Sequence, residues 1–524
     1  MNQVGFALLS IMIFLPAVAG VVVLVAGRQD DRMARILATA GSLIVVLLGI
    51  WVYFAYDQGA QGQPFQLEEN APWIGQFGIG YHLGVDGLSM VLVLMTVVVT
   101  ALVVLFAVPA GGAGAAQYYF WLLVLESAVI GVFVSLDLIL FYIFFEAMLV
   151  PMYFLIGGWG GPRRQYAAVK FFLYTLGGSL LMLVAIIGLH VFHSGESTFD
   201  FVTLMKTPLA AGDQTWFFLA FALAFAIKAP IFPLHTWLPD AYVEADTGGS
   251  VMLAAVLSKV GAYGFLRFCL GLFPSAAHAL SPVISVFCII TILYGAWAAL
   301  SQRDLKGLIA YSSLGHLGLI ILGIFALNPA GIEGSTFQMV SHGISTAALF
   351  LIVGAISARW GTREIPQLAG MQAFAPVLAA VLLVLVMSSM PLPGLNGFPG
   401  EFLIFRGVFA GQSSYWYGVV ATLGVILAAG YMIWMYARIV YDAPAAAVAR
   451  VGAAVRDLGG RDLWVFAPAL LLIFALGFVP GIILSKTGSS ATAISSHLAT
   501  PASALTGGPA RVPALTLTLP NTRQ

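Results

Sequence analysis

The sequence predicts an all-α polytopic membrane protein with about fourteen transmembrane helices, two inverted five-helix repeats and two discontinuous helices. Three observations predict it. Hydrophobic residues make up 60% of the 524 residues and charged residues 8%, with a mean hydropathy of +0.99. A soluble domain carries roughly 25% charged residues, so this chain could not cover a water-facing surface. Apolar windows of about 20 residues recur along the chain, each long enough to cross about 30 Å of hydrocarbon at about 1.5 Å per residue. Two of these windows are interrupted by clustered proline and glycine.

In order, the windows fall near residues 4–27, 36–56, 86–108, 117–134, 138–158, 167–191, 215–239, 250–273, 280–300, 307–327, 336–357, 374–408, 416–440 and 463–485. The first lacks a basic leading segment and a convincing cleavage site, so it reads as a retained helix rather than a signal peptide. The 13% aromatics and 57 glycines suit closely packed membrane helices. Lys+Arg and Asp+Glu both number 22, which offers no basic surface for nucleic acid. Cys269 and Cys288 lie in apolar runs with no CxxC spacing and read as buried thiols.

With fourteen spans the loops alternate sides. Arg28, Arg32, Arg35, Arg163, Arg164, Arg303, Arg359 and Arg363 belong to a set of fourteen basic residues on one side; at most six lie toward the other. The positive-inside bias places the first set in the cytoplasm and both termini on the opposite side.

The interrupted windows read AFAIKAPIFPLHTWLPDA (224–241), broken near 228–233, and VMSSMPLPGLNGFPGEF (386–402), broken near 391–400. Proline removes a backbone donor and clashes with the preceding turn. Backbone groups freed this way survive at membrane depth only inside protein or along a watery cavity. The breaks lie five windows apart, and an odd offset makes the repeats inverted, a transporter signature. The expected organisation is 1–116 for the first three helices, 117–273 and 280–440 for the repeats, 441–485 for the last helix and 486–524 for a loosely ordered polar tail.

Removing the loop residues leaves ionisable groups at membrane depth: Glu126, Glu146, Lys228, Lys259, His316, His342 and Glu401, with Asp137 at a span boundary. A charge at the centre of a spanning helix costs roughly 3 kcal/mol. Four unpaired ones would cost about 12 kcal/mol, against a total stability of about 5–15 kcal/mol. Such groups must be paired, hydrated or neutralised. Carboxylate, lysine and histidine are the groups that burial can bring to titrate near neutrality, so a row of them with intervening water passes protons. Glu146 and Lys228 read as a gating pair, Lys259, His316 and His342 as relays, and Glu401 as the terminal group. Glu126 and Asp137 read as inter-helix or inter-subunit contacts. Arg163, Arg164 and the QRDLK run at 302–306 read as positive-inside anchors. No GxGxxG after a strand, Walker loop, GxSxG or metal-spaced Cys/His cluster occurs, so no cofactor or metal is expected on this chain.

The segments FFEAMLVPMYFLIGGWGG, IKAPIFPLHTWLPDAYVEADTGGSVMLAAVLSKVGAYG and QRDLKGLIAYSSLGHLG resemble the antiporter-like membrane subunits of respiratory complex I and the related Mrp Na⁺/H⁺ antiporters, over roughly residues 85–440. Within that family the first segment is most similar to the M-type, the homologue of mitochondrial subunit 4. The L-type carries a long amphipathic helix after its core spans, which the polar, proline-rich residues 486–524 do not suggest. The resemblance implies the fourteen-helix fold and matches Glu146 to the essential fifth-helix glutamate, Lys228 to the lysine of the broken seventh helix, Lys259 to the eighth-helix lysine, and His316 and His342 to the histidines of helices ten and eleven. Glu401 matches the twelfth-helix position, where many relatives have lysine and the M-type an acid. It implies a proton-translocating subunit of NADH:quinone oxidoreductase in a bacterial inner membrane. NADH, FMN, Fe–S clusters and quinone would be handled by other subunits. The partners would be neighbouring membrane-arm subunits, including antiporter-like ones, and lipids, with no nucleic acid. A Mrp-type antiporter subunit, an energy-converting hydrogenase subunit and a purely mechanical spacer are the alternatives.

Overall fold

The computed structural model describes residues 7–57, 64–106, 114–192, 198–207, 209–411, 415–444, 452 and 455–499. Residues 500–524, with Arg511 and Arg523, and Arg450 lie outside the described residues. Among the described residues, eleven helices are each long and apolar enough to cross a membrane. The remaining three expected windows hold the discontinuous pairs Ala211–Lys228 with Trp237–Glu244 and Pro376–Ser389 with Gly397–Ala410, and the helix Gly460–Phe478.

Burial sorts the helices by position. Thr247–Leu272 and Pro329–Trp360 bury the whole of their most apolar window, whereas Arg164–Phe192, Pro274–Leu300 and Trp416–Val440 bury only 39% of theirs and turn the rest outward. The two enclosed helices carry Lys259 and His342. Several helices start on side-chain caps: Asp30, Asp137, Asp246, Asp304 and Asn328 accept backbone N–H groups of the first turn, each cap contributing about 1 kcal/mol.

The face bearing the basic loops is knitted by ion pairs: Lys170 to Asp240 at 2.7 Å, Arg163 to Glu244 at 3.3 Å, Arg359 to Asp462 at 2.7 Å, and Arg363 to Asp304. Lys306 differs from the expected loop anchor. Its side chain is buried, and Nζ donates to the Ala245 carbonyl at 2.6 Å and to Ser250 Oγ at 2.9 Å.

The opposite face carries two elements that the hydropathy pattern does not reveal. Strands β1 (Gln66–Ile74) and β2 (Ile79–Val85) form an antiparallel hairpin. His82 ties it down, with Nδ1 2.6 Å from Asp200 and Nε2 3.3 Å from Glu68. Burial disfavours the imidazolium, but the two carboxylates more than offset it and raise the His82 pKa to about 9. Asp137 is a cap and a clamp within the chain: it accepts from Ile139 N, Leu140 N and, across to the hairpin, Gly80 N. The second element is the helix Gly481–Ala499, bent by 63° from its predecessor, where the sequence suggested a loose tail. Its contacts order it: His497 Nε2 lies 2.9 Å from the Gly271 carbonyl, and Lys486 donates to the Tyr56 carbonyl at 2.8 Å.

Candidate functional site

The first broken helix ends at Lys228, because Pro230 and Pro233 cannot continue the hydrogen-bond ladder. One freed carbonyl, that of Ile227, accepts Trp237 Nε1–H at 2.9 Å, and Phe232 N donates to Thr291 Oγ1 at 2.9 Å. Lys228 is 1% exposed, and among the described residues its Nζ has no hydrogen-bond partner. It lies 5.2 Å from the Phe145 ring centroid and 5.4 Å from that of Phe171, positions in which an ammonium is drawn to the ring faces. Glu146 sits beside Phe145 on the helix Leu138–Ala147, and its Oε1 likewise has no hydrogen-bond partner among the described residues. No carboxylate of the described residues comes within 4.0 Å of Lys228 Nζ. The structure thus holds this pair apart.

The second group lies close together. The helix Thr247–Leu272 winds as π-helix over Leu253–Leu257 and again over Phe265–Cys269, on either side of Lys259. Such bulges disturb the backbone ladder and frequently accompany function. Lys259 Nζ donates to the Ala254 carbonyl at 2.6 Å and reaches His342 Nδ1 at 2.7 Å. Donation by the lysine places the His342 proton on Nε2. The His342 and His316 ring centroids are 5.0 Å apart. His316 Nδ1 lies 2.9 Å from the Ser312 carbonyl, and Nε2 lies 3.2 Å from the Ser389 carbonyl and 3.5 Å from Glu401 Oε1. A neutral imidazole has one N–H and can satisfy only one of these carbonyls. Glu401 accepts from Gln338 Nε2 at 3.0 Å. Beside His316, Glu401 and Tyr431 a cleft of about 20 Å³ has room for about one water.

Glu126 stands differently. It is fully buried on the helix Ala115–Val134, and among the described residues neither carboxylate oxygen has a hydrogen-bond partner. Sequence reasoning passed over the uncharged members of the site. Asn396, in the second break, donates to the Ser341 carbonyl and Ser345 Oγ at 3.0 Å and accepts from Ser388 at 2.6 Å. A buried amide inside GLNGF, at a helix break, was the available signal.

This arrangement can be set beside known proteins. Residues 135–428 match the family described as NADH:quinone oxidoreductase/Mrp antiporter, TM. The chain belongs to that family. It is 41% identical over 500 residues to "NADH-quinone oxidoreductase subunit M" of Rhodobacter capsulatus, covering 92% of this chain and 95% of the relative. It is 40% identical over 527 residues to the protein of the same name from Mycobacterium tuberculosis (strain ATCC 25618 / H37Rv), covering 92% and 93%. Among solved structures, a chain of respiratory complex I from Thermus thermophilus with bound NADH superposes with a TM-score of 0.85 at 32% identity, over 94% of this chain and all of that one. A chain of the Mrp complex from Dietzia sp. DQ12-45-1b shares the fold, with a TM-score of 0.79 at 22% identity over 93% of this chain and 52% of that one.

Proposed function

We propose that this chain is a proton-translocating membrane-arm subunit of an NADH:quinone oxidoreductase, carrying protons while the redox chemistry proceeds in partner subunits. The observation that carries the reading is the buried sequence Lys259–His342–His316–Glu401, held within hydrogen-bond or one-water reach in the most enclosed part of the fold. These side chains can each hold or release a proton, and burial makes their charge states sensitive to neighbouring charges. Family membership supplies the reaction class.

In this reading Glu146 and Lys228 gate the line. Closing their separation stabilises the Lys228 ammonium; opening it releases a proton toward Lys259. The two breaks act as polar hinges at one depth, and the helices around 117–273 and 280–440 are the inverted repeats. The arginine-rich face is cytoplasmic and both termini are periplasmic in a bacterial inner membrane. NADH, FMN, Fe–S clusters and quinone belong to other subunits, and neighbouring antiporter-like subunits and lipids cover the outward helix faces.

The test is NADH-driven proton pumping by the assembled complex carrying Glu146→Gln or Lys228→Ala. Either change should abolish or sharply reduce pumping while the complex remains assembled. Wild-type pumping by an assembled Lys228→Ala complex rejects the gating role.

A further inference from the structure

The helix that carries Lys259 meets two unlike environments at its ends. Toward the arginine-rich face it opens on a cavity of about 570 Å³ whose lining includes Asp246, Gly248 and Lys306. Lys306 there touches Ser250, nine residues before Lys259. Toward the other face the same helix carries Tyr263 and Arg267, at successive four-residue steps beyond Lys259. Arg267 Nη2 lies 2.6 Å from Asp86 Oδ1, and the two side chains are 5% and 4% exposed. The Nη2 group does not meet hydrogen-bond geometry, so the contact is an ion pair rather than an aligned bond. Arg267 Nε donates to Tyr263 Oη at 3.1 Å, and Tyr263 Oη donates to the Phe133 carbonyl at 2.9 Å. The guanidinium carbon sits 4.9 Å from the Phe65 ring centroid, 5.4 Å from Tyr263 and 6.0 Å from Phe201. Asp86 is fixed in turn by Ser89 N, which donates at 2.8 Å.

A proton approaching Lys259 from this end meets three obstacles. The Tyr263 proton is committed to a carbonyl. Arginine does not give up its proton in proteins, so it cannot serve as a relay. A fixed positive charge in a narrow, aromatic-walled site repels an arriving cation. We propose that the Asp86–Arg267 pair is an electrostatic plug that denies protons a direct passage between Lys259 and the hairpin-bearing face. The plug compels protons to leave along His342, His316 and Glu401. The buried carboxylate holds the guanidinium in place, and the guanidinium is the barrier. The inference rests on the proton line proposed above.

The test is passive proton leak through the assembled complex in sealed proteoliposomes, without NADH, read as decay of an imposed pH gradient. The near-isosteric neutral double variant Asp86→Asn/Arg267→Gln should let the gradient decay several-fold faster than wild type. Adding Lys259→Met should restore tightness, because the leak must pass Lys259. A double variant as tight as wild type overturns the plug, and so does a leak that survives Lys259→Met. If the double variant does not assemble, Arg267→Gln alone decides: a leak that Lys259→Met closes supports the plug, and vesicles as tight as wild type overturn it. Wild-type pumping by Lys228→Ala would instead reject the gate of the line, a separate outcome.

Discussion

Lys259→Met replaces a proton carrier with an apolar side chain of similar length, and the structure bounds both consequences. Lys259 is fully buried and makes two polar contacts, at 2.6 Å to the Ala254 carbonyl and 2.7 Å to His342 Nδ1. Hydrogen bonds involving a charged group contribute about 1.5–3 kcal/mol each, so about 3–6 kcal/mol is lost. Removing a buried ammonium also recovers a desolvation penalty of several kcal/mol. The terms nearly cancel, and the net change in stability should lie within about 2 kcal/mol. Transport has no such compensation. A positioned acid–base group typically accelerates proton transfer by about 10²–10⁴-fold, so transfer along this line should fall at least about 100-fold. The assay compares assembled complex content with the proton-to-electron ratio in vesicles. Lys259→Arg sharpens it: the charge stays, but its proton is not released, so pumping should fail there too. Normal pumping by Lys259→Met refutes the relay; pumping by Lys259→Arg but not by Lys259→Met would make the residue an electrostatic support instead of a carrier.

Other outcomes follow from particular contacts. Glu126→Gln removes a potential charge whose oxygens have no hydrogen-bond partner among the described residues; thermal stability of the complex should be unchanged or higher, and a fall of several degrees would show a partner that the fold conceals. Asn396→Leu strands Ser388 and the Ser341 carbonyl at the second break and should cost about 2–4 kcal/mol, read as a lowered unfolding midpoint. His82 has its pKa raised to about 9 by Asp200 and Glu68 against the pull of burial. Its contribution is therefore complete below about pH 6.5 and is lost as pH rises through about 9. The protection factors of the hairpin amides should fall across that window in the wild type, and His82→Gln should remove that fall.

Much of this was legible in the sequence because lipid makes polarity conspicuous. Glu146, Lys228, Lys259, His316, His342 and Glu401 stood out as costly exceptions in apolar windows, and the structure brings the last four within hydrogen-bond or one-water reach of one another. Pro230, Pro233, Pro391 and Pro393 marked both broken helices, since proline's effect is local. What stayed hidden depends on tertiary packing. Asn396, Ser388 and Gln338 are neutral and cheap enough to pass as ordinary helix residues. Arg267 and Lys306 sit near span ends, where basic residues are usually solvated anchors, yet both are buried and partnered. The hairpin was missed because its first strand is largely exposed and lacks a clean alternation of polar and apolar residues.

The central claim is that water and these side chains together form one connected path. The most direct measurement is an electron cryo-microscopy map of the assembled complex at a resolution that shows ordered water. The account predicts water bridging the 5.0 Å step between His316 and His342 and occupying the interval between Lys228 and Lys259. Tightly packed hydrocarbon in both places, with no water in any turnover state, would contradict it.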